Sequence, residues 1–328
     1  MSTASRRAHE MDAVVLENLL QRLVTGILVG SMYGLLCTGL GMIFGVIRVI
    51  NFAQGEFMML GMYATMIVGS VIAATFAIGP AAGAYLAIIV AALVLSGVGW
   101  GLQRYLVSHV SGERVVGSDN EGHFAQLILT LGLSLVVSNL ALIVFGSSPR
   151  TVQSTLASSS WTLGPYTKDA ITIFVNQARA IGCLGAIAAS IGLYLFVQKT
   201  RAGTSMRAAA DNPTAATIVG IDVEKAYARA FAIGTGATAL AGGLIAMYYP
   251  FHPYIGFEFV IIMYAGVVLG GMGSMLGAFW GGFTMGLVQQ LSTYFLPFQL
   301  QNSTIFLLFL AIVLLRPQGL FGRSVERV

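Results

Sequence analysis

Four polar side chains lie close together between two long apolar stretches of the chain. Within the run GVIRVINFAQGEF, residues 45–57, they are Arg48, Asn51, Gln54 and Glu56. Polar and ionisable groups at a membrane boundary are costly, and they usually serve a pathway, a relay or a gate. Two kinds of chemistry fit these residue types: a carboxylate that takes part in ion movement, and hydrogen-bonding groups that line a gated passage.

Arg48 and Glu56 are eight residues apart, which is about 12 Å along a continuous helix. A direct contact between them therefore requires a break in the helix, and Asn51 and Gly55 favour one. An unwound stretch at membrane depth is tolerated only where it lines protein or water. We interpret the run as a broken joint near the cytoplasmic face that acts as a pathway or gate; the alternative is a turn whose polar side chains only cap two helices.

Glu258 is a second ionisable candidate for the same role. It follows HPYIGF at the outer end of another apolar stretch, and the alternative is an ordinary acid at the membrane interface. Membrane-embedded acids also mark ion relays. A self-contained transporter driven by protons or sodium through Glu56 and Glu258 therefore stays open as a hypothesis.

The motifs of several enzyme classes are missing from the sequence. A Walker A loop needs Gly-Lys before Ser or Thr, and no lysine here follows a glycine. Neither HExxH nor GxSxG is present, and the two cysteines, Cys37 and Cys183, are too few for a four-ligand metal site. We therefore predict no catalytic residues, no cofactor and no metal.

The composition is that of an integral membrane protein. Of 328 residues, 56% are hydrophobic and 9% are charged, against about 25% charged in soluble domains, and the mean hydropathy is +0.82. Continuously apolar stretches near the length of a spanning helix disfavour a β-barrel. Forty glycines suit helices that pack closely through small residues. The predicted fold is all-α, a polytopic transmembrane helical bundle.

Nine apolar windows predict about eight or nine spans. The seventh and ninth are near the lower length limit for crossing a bilayer, so one of them could be re-entrant. A glycine-rich span, a polar aromatic turn and an apolar run occur at 34–64 and again at 235–265, which indicates a repeated unit. The predicted spans are 23–45, 57–78, 82–106, 124–146, 174–197, 226–249, 257–272, 275–296 and 299–315.

The remaining segments are assigned from their charge. Residues 1–22 are interpreted as an interfacial segment that contains a short amphipathic helix, and residues 23–316 form the transmembrane domain. The basic connection 198–225 and the tail 317–328 are predicted to be cytoplasmic. Within the connection, Pro213 suits the first turn of a short helix capped by Asp211 or Asn212. Counting spans backwards places the N-terminus outside, whereas Arg6 and Arg7 favour the inside.

Three stretches of the chain resemble a known family of transport proteins. They are GLGMIFGVIRVINFAQGEFMMLGMYA, RAAADNPTAATIVGIDVEKAYARAFAIGTGATALAGGL, and YAGVVLGGMGSMLGAFWGG with the ending LLRPQGLFG. In this order the chain resembles a permease subunit of the ABC importers for branched-chain amino acids. Relatives in that family also carry urea, short amides or aromatic acids.

The resemblance implies that ATPase subunits dock on the 198–225 connection. In ABC permeases the docking pattern is Glu-Ala-Ala, three residues, then Gly, and this chain has a threonine in the acidic position. The first motif of the family usually has a histidine at position 54, and Gln54 cannot take up a proton. The implied docking residues are Arg207, Asp211, Thr214, Ala215, Ala216 and Gly220.

The resemblance also implies the function and the partners. We expect a gated pathway in a bacterial inner membrane for branched-chain or related hydrophobic amino acids, with no ATPase activity in the chain itself. The expected partners are ABC ATPase subunits, a related second permease subunit that makes a heterodimer, an external substrate-binding protein, and membrane lipid, but not nucleic acid. Glu258 would then contact the docked binding protein or line the pathway.

Overall fold

The computed structural model describes residues 3–48, 50–110, 119–152, 154–164, 172–297, 300–315 and 319. The predicted tail, 317–328, lies outside the described residues apart from Gly319. Two short strands, β1 (Ser160–Leu163) and β2 (Ile173–Asn176), pair antiparallel. A π-helical turn, Gln103–Val107, follows α3. The α-helices are α1 (Thr3–Ile47), α2 (Gln54–Phe76), α3 (Pro80–Leu102), α4 (Ser108–Val110), α5 (Asp119–Phe145), α6 (Thr155–Ser158), α7 (Gln177–Lys199), α8 (Arg201–Asp211), α9 (Pro213–Ile218), α10 (Val223–Ala246), α11 (Ile255–Gly270), α12 (Met275–Phe295) and α13 (Gln301–Leu315).

The prediction of an all-α bundle is confirmed. Each of the nine apolar windows coincides with one long helix in the described part of the chain, with boundaries that shift by a few residues except at the start of α1. Six of these helices, α1, α2, α3, α5, α7 and α10, are long and apolar enough to cross a membrane. The two windows predicted to be short correspond to α11, with 16 residues, and α13, with 15 residues.

The N-terminal segment does not form a separate short helix. Helix α1 runs without interruption from Thr3 to Ile47. Residues 3–25 contain neither glycine nor proline, so no residue in this stretch favours a break. The first span is therefore the continuation of a helix of 45 residues.

Helix α1 connects two opposite ends of the bundle. In its first half, the side-chain amide of Gln21 donates a hydrogen bond to the carbonyl of Phe174 in β2. Just after its end, the Arg48 guanidinium donates to the carbonyl of Ala210 in α8. Arg48 is 27 positions beyond Gln21, which corresponds to about 40 Å of helix. We call the two ends the hairpin end, which carries β1 and β2, and the α8–α9 end.

The long helices pack through glycine, as the composition predicts. A Cβ added at Gly281 of α12 would overlap the backbone oxygen of Gly266 in α11, and one added at Gly30 of α1 would lie 2.6 Å from the backbone oxygen of Phe283 in α12. Helices come this close in membranes because small residues let their backbones approach.

A single methyl group at such a contact should be disruptive. We expect Gly281→Ala to lower the free energy of unfolding by about 1–3 kcal/mol, the usual cost of overpacking. Gly97→Ala is the matched control, because a Cβ there has nothing within 4 Å and alanine is the better helix former. Thermal unfolding of both variants in lipid nanodiscs measures the difference. Equal melting temperatures would contradict the close α11–α12 packing.

Candidate functional site

The predicted break between the first two spans is present at residues 48–53. Helix α1 ends at Ile47 and α2 begins at Gln54. Arg48 has a φ of 58°, in the left-handed region that non-glycine residues rarely adopt. Its exposed side chain faces the α8–α9 end through the bond to Ala210, at 3.2 Å. Arg48 therefore belongs to the surface of that end.

Asn51 and Gln54 do not lie at the surface, and each has a relative exposure of 0%. The Asn51 Oδ1 accepts a hydrogen bond from the backbone N–H of Ala53 at 3.1 Å, and its Nδ2 donates to the Gln54 Oε1 at 3.1 Å. The Gln54 Nε2 donates to the Thr238 hydroxyl and to the Gly234 carbonyl on α10. Of the three polar residues of the predicted joint, Arg48 therefore lies at the surface, whereas the two amides attach the break to the interior of the bundle.

Glu56 is buried in the first turn of α2, with an exposure of 2%. It is the one formally charged side chain among the buried residues of the described chain. Its Oε1 accepts a hydrogen bond from the Ser134 hydroxyl at 3.0 Å, whereas its Oε2 has no hydrogen-bond partner in the described part of the structure. Glu56 and Arg48 make no ion pair there, since Arg48 is exposed and bonds to Ala210 whereas Glu56 is buried beside Ser134.

The starts of α2 and α11 meet at this carboxylate. A Cβ added at Gly256 would lie 2.8 Å from the Glu56 carboxyl carbon, and one added at Gly55 would overlap the backbone oxygen of Gly256. Both helices follow a break in the two stretches that resemble each other in sequence, 34–64 and 235–265. A carboxylate is favoured near a helix N-terminus, so the two helix starts help to accommodate the charge.

Helix α5 contributes a polar face that was not among the candidates predicted from sequence. Its buried polar residues recur every fourth position, whereas its other residues of known burial, apart from Ala141, are exposed or half-buried. Thr130 approaches the break, with its hydroxyl 3.3 Å from the backbone N–H of Phe52. The four-residue spacing of polar side chains in an apolar helix was the available signal. The residues are Gln126, Thr130, Ser134 and Ser138, with exposures of 4%, 1%, 1% and 0%.

We call Asn51, Gln54, Glu56, Thr130 and Ser134 the buried polar cluster. Glu258 is not part of it. Although Glu258 is only two residues beyond Gly256, its side chain is 46% exposed and its Oε1 lies 3.6 Å from the His252 Nε2. Chemically, the buried polar cluster offers one unpaired carboxylate oxygen and a set of hydroxyl and amide groups that can exchange hydrogen bonds.

The predicted short helix in the 198–225 connection is present as α9. Asn212 caps it, because its Oδ1 accepts a hydrogen bond from the backbone N–H of Ala215 at 2.9 Å, and Pro213 occupies its first turn. Ala216 is 3% exposed and packs inward with Met206 and Ala209 of α8. An exposed Ala-Ala face is therefore not formed; of the two alanines, Ala215 alone is exposed.

The exposed apolar group of this connection lies at the end of α9. Ile218 is 81% exposed and Val219 is 74% exposed, and neither was predicted from sequence. Gly220 follows with a φ of 85°, a conformation that glycine adopts without steric cost. A Cβ at Gly220 would have nothing within 4 Å. Glycine is therefore favoured here by the backbone conformation and not by close packing.

The polar docking candidates are on α8 and α9, in the same connection as the apolar tip formed by Ile218 and Val219. Arg207 is exposed and donates a hydrogen bond to the Gln198 Oε1 at 3.0 Å, and Asp211 and Thr214 are exposed. Asp222 caps the start of α10, and a hydrogen bond with the Lys225 side chain holds the pKa of this exposed carboxyl below its usual value. The α8–α9 end thus presents an ordered surface with an apolar tip and mixed charges.

Comparisons with known proteins agree on one family. The family model described as branched-chain amino acid transport system / permease component matches residues 22–315. The high-affinity branched-chain amino acid transport system permease protein LivH of Escherichia coli (strain K12) is 31% identical over 314 residues, which cover 94% of this chain and 97% of the relative. The corresponding protein BraD of Pseudomonas aeruginosa is 29% identical and covers 94% of this chain and 98% of its own length.

One solved structure also overlaps with the chain. Its description names an inward-facing ABC transporter of the metal-chelate type, and it covers 90% of this chain and 85% of its own chain. The TM-score is 0.43 at 15% sequence identity, a likeness that does not by itself establish a common fold.

Proposed function

Because this chain belongs to the family of permease components of branched-chain amino acid transport systems, we propose that it forms the gated pathway of an ATP-driven importer for branched-chain or related hydrophobic amino acids. The chain is a multi-pass membrane protein. The observation that supports a pathway most strongly is Glu56, a buried carboxylate with one unpaired oxygen where α2, α5 and α11 meet. Burying a charged side chain in a membrane protein is costly, so a residue such as Glu56 is a candidate functional residue.

The pathway or gate is formed by Arg48, Asn51, Gln54, Glu56 and Glu258. Four of these side chains, all except Glu258, belong to the break between α1 and α2 or to the first turn of α2. Gln54 donates hydrogen bonds to α10, and Glu56 accepts one from α5. A hydrophobic amino acid needs few polar groups along its route, because its side chain prefers an apolar lining. Methionines 58, 59 and 62 of α2, all buried, supply such a lining next to Glu56.

Energy enters at the α8–α9 end, where ABC ATPase subunits dock on α9 and the turn that follows it. The exposure of Ile218 and Val219 supports this role, because an apolar tip on an ordered polar connection is suited to a groove in a partner. Arg207, Asp211, Thr214, Ala215 and Gly220 belong to the same connection and complete the docking surface. Arg48 connects this end to the gate through its bond to Ala210, so movement of α8 reaches the break directly.

The remaining partners follow from the same assignment. The α8–α9 end faces the bacterial cytoplasm, and the hairpin end faces an external substrate-binding protein. A related permease subunit completes a heterodimer in the inner membrane. An ion-coupled secondary transporter is the second candidate, since Glu56 is a buried acid of the kind that relays ions. A member of the same family that carries urea, short amides or aromatic acids is a third.

Reconstitution distinguishes these functions. We expect proteoliposomes with this chain, its second permease subunit, the ATPase subunits and the binding protein to accumulate radiolabelled leucine, isoleucine or valine only when ATP is present on the ATPase side. The chain alone should accumulate none of them under a proton or sodium gradient. Gradient-driven uptake by the purified chain alone would overturn the proposal, and uptake of urea or amides but not of these amino acids would change the substrate.

A further inference from the structure

Arg179 occupies an unfavourable position at the start of α7. Asn176 caps this helix, with its Oδ1 accepting the backbone N–H of Arg179 at 3.1 Å, so Arg179 is the third residue of the helix. At this position a carboxylate or amide side chain normally assists the cap, and a cation is disfavoured by the helix dipole. A positive charge at this position, at the hairpin end of a spanning helix, is therefore expected to have a function that offsets its cost in stability.

The Arg179 guanidinium has no acidic partner within ion-pair distance among the described residues. Its carbon lies 5.0 Å from the centre of the Tyr248 ring, and its Nε is buried without a hydrogen-bond partner in the described structure. The side chain is half-buried. Stacking on an aromatic ring stabilises the cation but leaves its planar set of N–H donors available for an anion.

Aromatic rings extend from this cation across the hairpin end. Tyr248 contacts Tyr249, with ring centres 6.5 Å apart, and Tyr249 contacts Phe259 at 6.0 Å. Phe259 in turn contacts Tyr33 of α1 at 5.6 Å. The four rings form a series of contacts that begins beside Arg179 and ends in the core, where Phe259 and Tyr33 are buried.

Tyr248 also borders a cleft of about 630 Å³. This volume is in the range of small-molecule sites. The lining combines apolar residues, among them Ala246, Met247 and Val152, with Ser and Thr residues of the segment around α6. Arg179 stacks on Tyr248, so its guanidinium lies beside one of the residues that line the cleft.

We propose that this cleft is an entry site for a free α-amino acid with an aliphatic side chain, and that Arg179 binds its carboxylate. The inference deepens the proposed function and rests on it for the direction of transport. Arginine recognises a carboxylate through two parallel hydrogen bonds, the apolar lining residues accept the aliphatic side chain, and the hydroxyl oxygens accept hydrogen bonds from the ammonium group. A ligand without the carboxylate loses the contact with Arg179.

Saturation-transfer NMR on the full-length chain in lipid nanodiscs tests binding without any partner. L-Leucine should give a transfer signal that exceeds that of leucinol, which lacks the carboxylate, by about fivefold or more. Arg179→Met should remove this preference, and Arg179→Lys should retain part of it because the charge remains. Absence of a leucine signal, or equal signals from leucine and leucinol with the wild-type chain, would overturn the proposal whatever the variants do.

Arg104→Met is the matched control, because the Arg104 guanidinium also stacks on an aromatic ring, Trp100, at 5.1 Å. It should bind leucine like the wild type, and loss of the preference in both methionine variants would also contradict the proposal. In the complete reconstituted transporter, Arg179→Met should lower uptake and retain ATP hydrolysis. If the wild-type complex shows no ATP-driven uptake while leucine still binds in preference to leucinol, the proposed function fails and the entry site stands.

Discussion

Glu56→Gln is expected to reduce amino acid uptake by the complete transporter by about ten- to a hundredfold. A hydrogen bond to a charged group contributes about 1.5–3 kcal/mol, and each 1.4 kcal/mol corresponds to a factor of about ten. Glutamine keeps the size of the side chain and can still accept the Ser134 hydroxyl, but it offers no charge to a passing ammonium group. The measurement is the initial rate of uptake into proteoliposomes at saturating binding protein.

Two companion measurements separate a role in transport from a role in folding. The variant should be at least as stable as the wild type, since an unpaired carboxylate oxygen in the interior costs free energy, and its ATP hydrolysis should continue, since the α8–α9 end is unchanged. Ser134→Ala removes the donor to Glu56 and should lower uptake. Ser138→Ala is the matched control, because that hydroxyl bonds to carbonyls of its own helix. If the Glu56→Gln variant took up amino acids at the wild-type rate, Glu56 would not be part of the transport pathway.

Replacing Ile218 and Val219 together by serine should dissociate the ATPase subunits. Burying one such apolar side chain contributes about 1.5–3 kcal/mol, so the loss of both should weaken the association by at least about a hundredfold. The ATPase should no longer co-purify with the permease, and uptake should cease, while the permease itself inserts and unfolds at the wild-type temperature. Co-purification on a tagged permease and unfolding in nanodiscs are the two measurements.

Thr217→Ser is the control for this double replacement. Thr217 is exposed directly before the tip, and serine keeps its hydroxyl bond to the carbonyl of Pro213, so only one methyl group is lost. This variant should bind the ATPase normally. If the double variant retained the ATPase as well, the apolar tip would not be the docking element, and the polar residues around it, Arg207 and Asp211, would be the next to test.

The extent of the helices was predictable from the sequence because a bilayer restricts the length and composition of the segments that can span it. A spanning segment must satisfy its backbone hydrogen bonds internally and present about twenty apolar residues, so all nine windows coincide with helices. The break at 48–53 was predictable for a related reason, since its polar residues interrupt an apolar run. The α9 cap at Asn212 and Pro213 followed from local backbone chemistry. The prediction of a separate N-terminal helix was wrong, because residues 3–25 contain no residue that breaks a helix.

Which side chains meet was not predictable, because partners come from distant parts of the chain. Glu56 and Ser134 are 78 residues apart, and the spacing of polar residues on α5 shows a face without showing what that face contacts. The direction of Ala216, which packs inward, and the exposure of Ile218 likewise depend on how α8 and α9 fold back on α10. No sequence pattern indicated Arg179, because its proposed role depends on its contact with Tyr248 and on the lack of an acidic partner among the described residues.

The sequence by itself thus determined the number of long helices, the place of the break and the family. Only the tertiary structure decided that Asn51, Gln54 and Glu56 lie in the interior, that α5 supplies their hydroxyl partner, and that Ile218 and Val219 form the exposed tip. The physical reason is that helix formation in a membrane is governed by local hydropathy and backbone hydrogen bonding. The environment of a side chain depends instead on the close approach of helices, which the glycines of α1, α11 and α12 allow between residues far apart in sequence.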